Sequence, residues 1–292
     1  MKQTYIFNKD SNREYLFFIA IIPLILYGIY KNAFLLVNNN YLSAFNGYKI
    51  ILYPIILPLA GYIISLIFKK KKLELIMYGL LLALSSPFSI NMFLYITVVI
   101  LSMIIYVFIP NKYRINEPAF IIFIFIIINH FTKTPFLYNP MELGNDYKFT
   151  LFDLFYGRGA SFLFTSSIFW ALISYLLLIQ IRTYKKDIFL VTIGMFSAFF
   201  LLYMLINHNY VSLLKLYLNG TTFFTFIFLA PINESSPTIK TETIIYSFLI
   251  ALLSFIFVII FKYQSGAIIA VLLASIVYRI YNIIRQKMFL KQ

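Results

Sequence analysis

The residues best suited to chemistry in this sequence are Tyr156-Gly157-Arg158-Gly159-Ala160-Ser161, which close a long segment of about residues 132–160 and run into an apolar stretch. Gly157 and Gly159 allow a ligand close to the backbone, and Arg158 supplies a fixed positive charge. A helix starting at Ser161 would add unpaired N–H groups at a positive dipole end. Together these suit a phosphate, and the Ser161 hydroxyl could be esterified. The same residues also read as a surface turn, with Arg158 snorkelling to a membrane interface and Ser161 capping the helix.

Other side chains offer less. The chain has no Cys, which removes disulfides, cysteine-ligated clusters and thiol chemistry. His130 and His208 fall near helix ends without carboxylate neighbours, the pattern of polar helix ends and not of a metal pair, so no metal is assigned. Trp170, Tyr30, Tyr106 and Tyr278 read as interfacial or packing aromatics. Asn219-Gly220-Thr221 spells a glycosylation acceptor but stands where an apolar span begins.

The elements that must position these residues are membrane spans. Of the 292 residues, 62% are hydrophobic and 12% charged, and the mean hydropathy is +0.87, which excludes an ordinary soluble domain. A bilayer core needs about 20 mainly apolar residues per helix. Ten candidate spans meet this approximately: 15–34, 49–68, 74–86, 91–109, 117–131, 161–181, 187–207, 219–231, 244–261 and 265–283, the third and eighth being short. The runs lack the alternating pattern of a membrane barrel, so they are helices. Residues 1–14 are too polar for a signal peptide, and the first span is expected to stay.

With the N-terminus cytoplasmic, 17 of the 24 Lys and Arg residues fall on the cytoplasmic side. The outer seven are Lys31, Lys49, Lys133, Lys148, Arg158, Lys215 and Lys262. This asymmetry places both termini in the cytoplasm and accounts for the net charge of +14 without nucleic-acid binding. Lys69 to Lys72 fit anionic lipid headgroups, although topology alone explains them. No acidic or basic residue lies mid-span, which argues against a self-contained ion pump.

Ser85-Ser86-Pro87 follows the short third span, and Ser235-Ser236-Pro237 follows the short eighth. Five spans per half, an odd number, force the second half to enter from the opposite side. The expected organisation is therefore a first five-helix repeat over 1–131, an outer connecting loop over 132–160, and an inverted second repeat over 161–292. Broken helices at matching places in inverted halves point to a site near the midplane.

Residues Asn219 to Asn282 carry a more specific signal. They contain Gly220-Thr221-Thr222, a break at Ser235-Ser236-Pro237-Thr238, a span opening near Ile245-Tyr246, and a Gly266-started helix with Ala270-Val271-Leu272-Leu273. This arrangement resembles the C-terminal third of the RnfD/NqrB family. Upstream, Arg114-Ile115-Asn116-Glu117-Pro118-Ala119 resembles the family's Asn-Pro-Ala motif with Glu117 inserted.

The resemblance implies a membrane subunit of an Rnf electron-transport complex, or of the related sodium-pumping NADH:quinone reductase, in a bacterial inner membrane. It implies ten helices in two inverted halves, FMN esterified to a Thr in a Ser/Thr-Gly-Ala-Thr motif, and flavoprotein and iron–sulfur partner subunits. Arg158-Gly159-Ala160-Ser161 is similar to that motif, which puts Ser161 at the attachment position and Gly157, Arg158, Gly159, Gly220, Thr221 and Thr222 around the cofactor. A second, noncovalent flavin would fit the interior. The departures are Ser161 for Thr, Arg158 for a small hydroxyl residue, Phe155 for an acidic residue with Asp153 two positions further away, and Ala230-Pro231 where the family has Thr-Asp-Pro. The competing reading, favoured by these departures, is a permease for a small neutral or vitamin-like solute.

Overall fold

A computed structural model describes residues 15–39, 42–69, 72–87, 90–110, 113–132, 150–159, 161–181, 184–207, 210–232 and 235–289. Among them the regular structure is helical and no strand forms. Six helices are long and apolar enough to cross a membrane: Leu16–Asn38, Ala44–Ile67, Lys186–Ile206, Tyr210–Leu229, Lys240–Ile260 and Gly266–Gln286. Four shorter apolar helices, Leu73–Leu84, Met92–Phe108, Glu117–Asn129 and Ile168–Leu178, accompany them. Large apolar side chains such as Leu59, Leu205 and Phe261 stay exposed, as lipid-facing residues should.

In chain order, α1 (Tyr15–Ile29) passes into a π-helical turn (Tyr30–Leu35) and α2 (Leu36–Asn38). Then follow α3 (Ala44–Ile67), α4 (Lys72–Leu84), α5 (Met92–Phe108), α6 (Glu117–Thr132), α7 (Leu151–Tyr156), α8 (Ile168–Leu178) and α9 (Lys186–Ile206). Next come α10 (Tyr210–Tyr217) and α11 (Gly220–Phe224), which continues as a π-helical turn (Thr225–Leu229). The last are α12 (Lys240–Ser254), with its own π-helical end (Phe255–Ile260), and α13 (Gly266–Phe289). Helix α1 packs on α8, and α6 on α13. In the first half α3 touches α4 and α5, and α6 touches α4 and α5. In the second half α9 touches the α11 π-turn and α12, and α13 touches the same two.

One expected span comes out differently. The span expected over 161–181 is not one helix: Ser161–Ser167 is irregular and fully buried, and α8 begins only where the Ser167 side chain accepts the Trp170 N–H at 3.3 Å. The Ser167 cap fixes where α8 begins, and the segment before it is held by Leu84, Ser86 and Thr221 instead of by its own turns. At the eighth span, Gly220–Phe224 and its π-helical turn to Leu229 start after a break at Leu218-Asn219, and the preceding helix Tyr210–Tyr217 extends the apolar stretch to the 20 residues of Tyr210–Leu229.

Irregular backbone survives in an apolar interior only if its polar groups find partners, since each unsatisfied one costs several kcal/mol in lipid. The breaks supply each other. Helix α4 ends at Leu84, and Ser85 and Ser86 beyond it are 0% exposed. The carbonyls of Leu84 and Ser86 accept the N–H groups of Phe164 and Leu163 at 3.3 and 3.0 Å. Tyr95 donates its hydroxyl to the Leu82 carbonyl at 2.7 Å. At the other break, the π-turn after α11 frees carbonyls that accept from Tyr184 (Ile227 O, 2.8 Å), Asn116 (Leu229 O, 2.7 Å) and Tyr246 (Ala230 O, 3.4 Å).

Candidate functional site

Helix α7 sets the turn that carries the sequence motif. Thr150 and Asp153 form a capping box: the Asp153 N–H donates to Thr150 Oγ1 at 3.2 Å, and the Thr150 N–H donates to Asp153 Oδ2 at 3.1 Å. The helix ends at Gly157 with φ 101°, a left-handed conformation that glycine adopts without strain. A Cβ at Gly157 would also lie 2.6 Å from Ser167 Cα, so the turn packs directly on the start of α8.

Arg158 does not face inward. Its side chain is 56% exposed, and its guanidinium meets Asp153 Oδ1 at 2.9 Å. Hydrogen bonds from the Thr150 hydroxyl and backbone N–H, followed by the Arg158 charge, hold the Asp153 carboxyl below the usual carboxylate range. The fixed charge expected from Arg158 is thus already matched. Ser161 lies at 4% exposure inside the irregular segment, donating its hydroxyl to the Phe162 carbonyl at 2.8 Å. It is neither a helix cap nor part of a first helical turn, and no helix dipole end coincides with it. Ala160 and residues 133–149 of the connecting loop lie outside the described residues, as does His208.

The cation bonded nearest Ser161 in the chain is Lys31, which the sequence places at the outer end of the first span. Lys31 sits in the π-helical turn after α1 at 3% exposure and donates from Nζ to the Gly159 carbonyl at 2.6 Å. Its neighbour Asn32, 4% exposed, donates to the Leu163 carbonyl. The π-bulge therefore grips the chain two residues before and two residues after Ser161. A lysine three residues from the end of an apolar run counts as a topology signal in sequence, and only the bulge shows that it turns inward. Such single-turn π-bulges recur at functional sites.

Gly220, Thr221 and Thr222 join the motif indirectly. A Cβ on Gly220 would fall 2.0 Å from the Ser166 carbonyl oxygen, so only glycine allows α11 this near the irregular segment. Thr221 Oγ1 lies 3.2 Å from Thr165 Oγ1. Gly157 and Gly220 thus press on Thr165–Ser167 from two sides, forming a hydroxyl-rich seam. Among the described residues, Ser166 Oγ and Thr222 Oγ1 are buried without a hydrogen-bond partner. A cavity of about 310 Å³ is lined by Leu163, by Asn46, Lys49 and Tyr53 of α3, and by Asn91 and Phe93 at the start of α5; the Lys49 ammonium there donates to Asn46 Oδ1 at 3.2 Å.

At the other end of the bundle, Asn116 ties the halves together. Its Oδ1 accepts the Ala119 N–H at 3.1 Å, its Nδ2 reaches Leu229 O, and its backbone N–H donates to Ser275 Oγ at 3.2 Å. Arg279 donates to the Arg114 carbonyl at 2.7 Å, and Arg114, 2% exposed, lies 3.9 Å from Glu74. Lys185, just before α9, donates from Nζ to both the carbonyl and the hydroxyl of Ser236 at 2.8 Å. Burial pushes its amine down to about 7.

Fold and site together define an all-helical polytopic membrane protein whose interrupted helices meet at a buried polar seam. The chain belongs to the NQR2, RnfD, RnfE family, whose profile matches residues 5–289. It is accordingly a membrane subunit of the Rnf/Nqr type. A search of curated proteins gives no significant match.

Proposed function

We propose that the chain is the flavin-carrying membrane subunit of an ion-translocating Rnf-type electron-transport complex, with FMN joined through a phosphoester to Ser161. The observation that carries this reading is the Lys31 ammonium at the Gly159 carbonyl, two residues from the Ser161 hydroxyl. A hydroxyl to esterify, a buried cation bonded to the backbone two residues before it and a recess that begins at Leu163 two residues after it suit a phosphate-linked group in a chain of this family. When bound, the flavin would supply the electron-carrying chemistry of the complex.

The protein's own residues hold and shield. Lys31 sets a positive charge at the turn, Asn32 fixes the Leu163 side of it, and Gly157 and Gly159 let the turn open for esterification of a hydroxyl that is otherwise buried. The bundle is read as two inverted five-helix halves. The packing of α3 and α6 on α4 and α5 matches that of α9 and α13 on the α11 π-turn and α12. Each half also sends a tyrosine, Tyr95 or Tyr246, back to a carbonyl at its break. Lysine and arginine asymmetry supports the reading that both termini are cytoplasmic and that Ser161 lies on the outer side of a bacterial inner membrane, where flavoprotein and iron–sulfur partner subunits would exchange electrons with it.

Protein coexpressed with a flavin transferase should fluoresce as a yellow-green band on a denaturing gel, and Ser161→Ala should abolish the band. A dark band from wild-type protein, with the transferase shown to be active on another substrate, contradicts the proposal.

A further inference from the structure

Helices α9 and α12 begin side by side. The Lys185 ammonium, just before α9, donates to the carbonyl and hydroxyl of Ser236, four residues before Lys240 opens α12, and the two helices pack on one another. Elsewhere helix starts are capped by side chains: Ser43, Asn91, Asn116, Thr150, Ser167 and Asn219 each accept a first-turn N–H. The N-cap residues of α9 and α12, Lys185 and Ile239, accept none through a side chain. Two sets of unmatched N–H groups therefore meet at one end of the bundle, each at a positive dipole end.

The side chains there add positive charge instead of offsetting it. Lys186 and Lys240, the first residues of the two helices, are exposed and form no ion pair among the described residues, although cations oppose a helix dipole at this end. Of the described carboxylates in the two first turns, Glu242 is taken by Arg285 and Tyr278, which leaves Asp187 to answer both lysines and both helix ends. Tyr175 of α8 supplies a further donor. It is 5% exposed, its ring centroid stands 4.3 Å from that of Phe189 in α9, and its hydroxyl is within electrostatic reach of Asp187. That hydroxyl has no hydrogen-bond partner among the described residues. One to two turns further along the helices, Leu190, Ile244 and Phe248 present exposed apolar side chains.

We propose that the paired N-termini of α9 and α12 hold the phosphodiester headgroup of an anionic phospholipid, with Lys186 and Lys240 on its oxygens and Leu190, Ile244 and Phe248 along its acyl chains. A phosphate monoanion matches what this end lacks: oxygens for unmatched N–H groups and a negative charge for two lysines. The surroundings favour lipid as its source. Both helices are long and apolar enough to cross a membrane, and the lysine and arginine asymmetry reads their starting end as cytoplasmic, where the leaflet is negative. The site does not depend on the flavin reading and lies past the C-terminal end of α8, away from Ser161.

The test reads the melting temperature of the full chain in dodecyl maltoside as dioleoylphosphatidylglycerol, dioleoylphosphatidylcholine or inorganic phosphate is added. Phosphatidylglycerol should raise it for wild type, and neither of the others should at the same concentration. Lys186→Gln with Lys240→Gln, changed at two exposed side chains, should keep the wild-type size-exclusion profile and need about tenfold more phosphatidylglycerol for the same rise. Lys215→Gln with Lys262→Gln, which removes equal charge beyond the other ends of α9 and α12, should respond as wild type does. A wild type that phosphatidylglycerol does not raise, a Lys186 and Lys240 pair whose loss changes nothing, an equal loss in both pairs, or an equal rise with phosphatidylcholine overturns the site. A rise with inorganic phosphate as large as with phosphatidylglycerol overturns the lipid occupant in favour of a free anion.

Discussion

At the scale of single residues, two neighbouring threonines separate satisfied from unsatisfied polarity. Thr221 Oγ1 partners Thr165 Oγ1 at 3.2 Å, whereas Thr222 Oγ1, equally buried, has no partner among the described residues. Removing one member of a buried pair costs about 1–3 kcal/mol, while removing an orphaned hydroxyl is close to neutral. Thr221→Val should therefore lower the melting temperature in detergent, and Thr222→Val should leave it unchanged or raise it. The reverse order would mean that Thr222 makes a contact in the folded protein that Thr221 does not. Lys31 is the other decisive residue. Charged hydrogen bonds are worth about 1.5–3 kcal/mol, so Lys31→Met should reduce flavin loading at Ser161 about tenfold or more, with Lys31→Arg retaining most of it. Flavin-to-protein absorbance ratios measure this. Sequence made Ser161 visible as a hydroxyl after a glycine-rich turn. It misassigned the charge, because Arg158 pairs with Asp153 five residues back, whereas Lys31 arrives from 128 residues away.

At the scale of elements, the breaks and their ties decide the fold. Asn116 caps α6 and also satisfies Leu229 O at the π-turn. Loss of a cap plus an orphaned carbonyl predicts that Asn116→Ala destabilises by about 2–4 kcal/mol, and that Asn116→Asp, which keeps the cap, loses less. Equilibrium unfolding in mixed micelles gives both values. The Lys185 tie to Ser236 carries a pH dependence. With the folded amine near 7, the unfolded chain alone holds the proton between about 7 and the ordinary lysine value. Stability should therefore rise with pH through that window and lie flat below it, and Lys185→Met should remove that component of the slope in thermal melts. The short α4 and its Ser85-Ser86 break were legible from the apolar run alone. The irregular Ser161–Ser167 was not, because its hydrophobicity equals that of a helix and its backbone is satisfied by carbonyls of a distant break. The break before the eighth span was legible too, since Asn219-Gly220 interrupts the apolar run where the helix stops and restarts.

At the scale of the whole molecule, composition marks a membrane protein and the motif resemblance and profile match give the family, while the site depends on contacts that no local window contains. The profile match spans residues 5–289, and among the described residues six helices are long and apolar enough to cross a membrane. The seam where Gly157, Thr165–Ser167 and Gly220 meet joins parts of the chain that are 56 residues apart at Thr165 and Thr221. A motif search sees its pieces, and packing alone shows that they touch. The proposed flavin-carrying role then turns on one chemical bond. The most direct measurement is the mass of the peptide containing Ser161, from protein coexpressed with a flavin transferase. The account predicts an increment equal to FMN less one water on that serine, lost in Ser161→Ala. An unmodified Ser161 peptide from a transferase-competent host would contradict it.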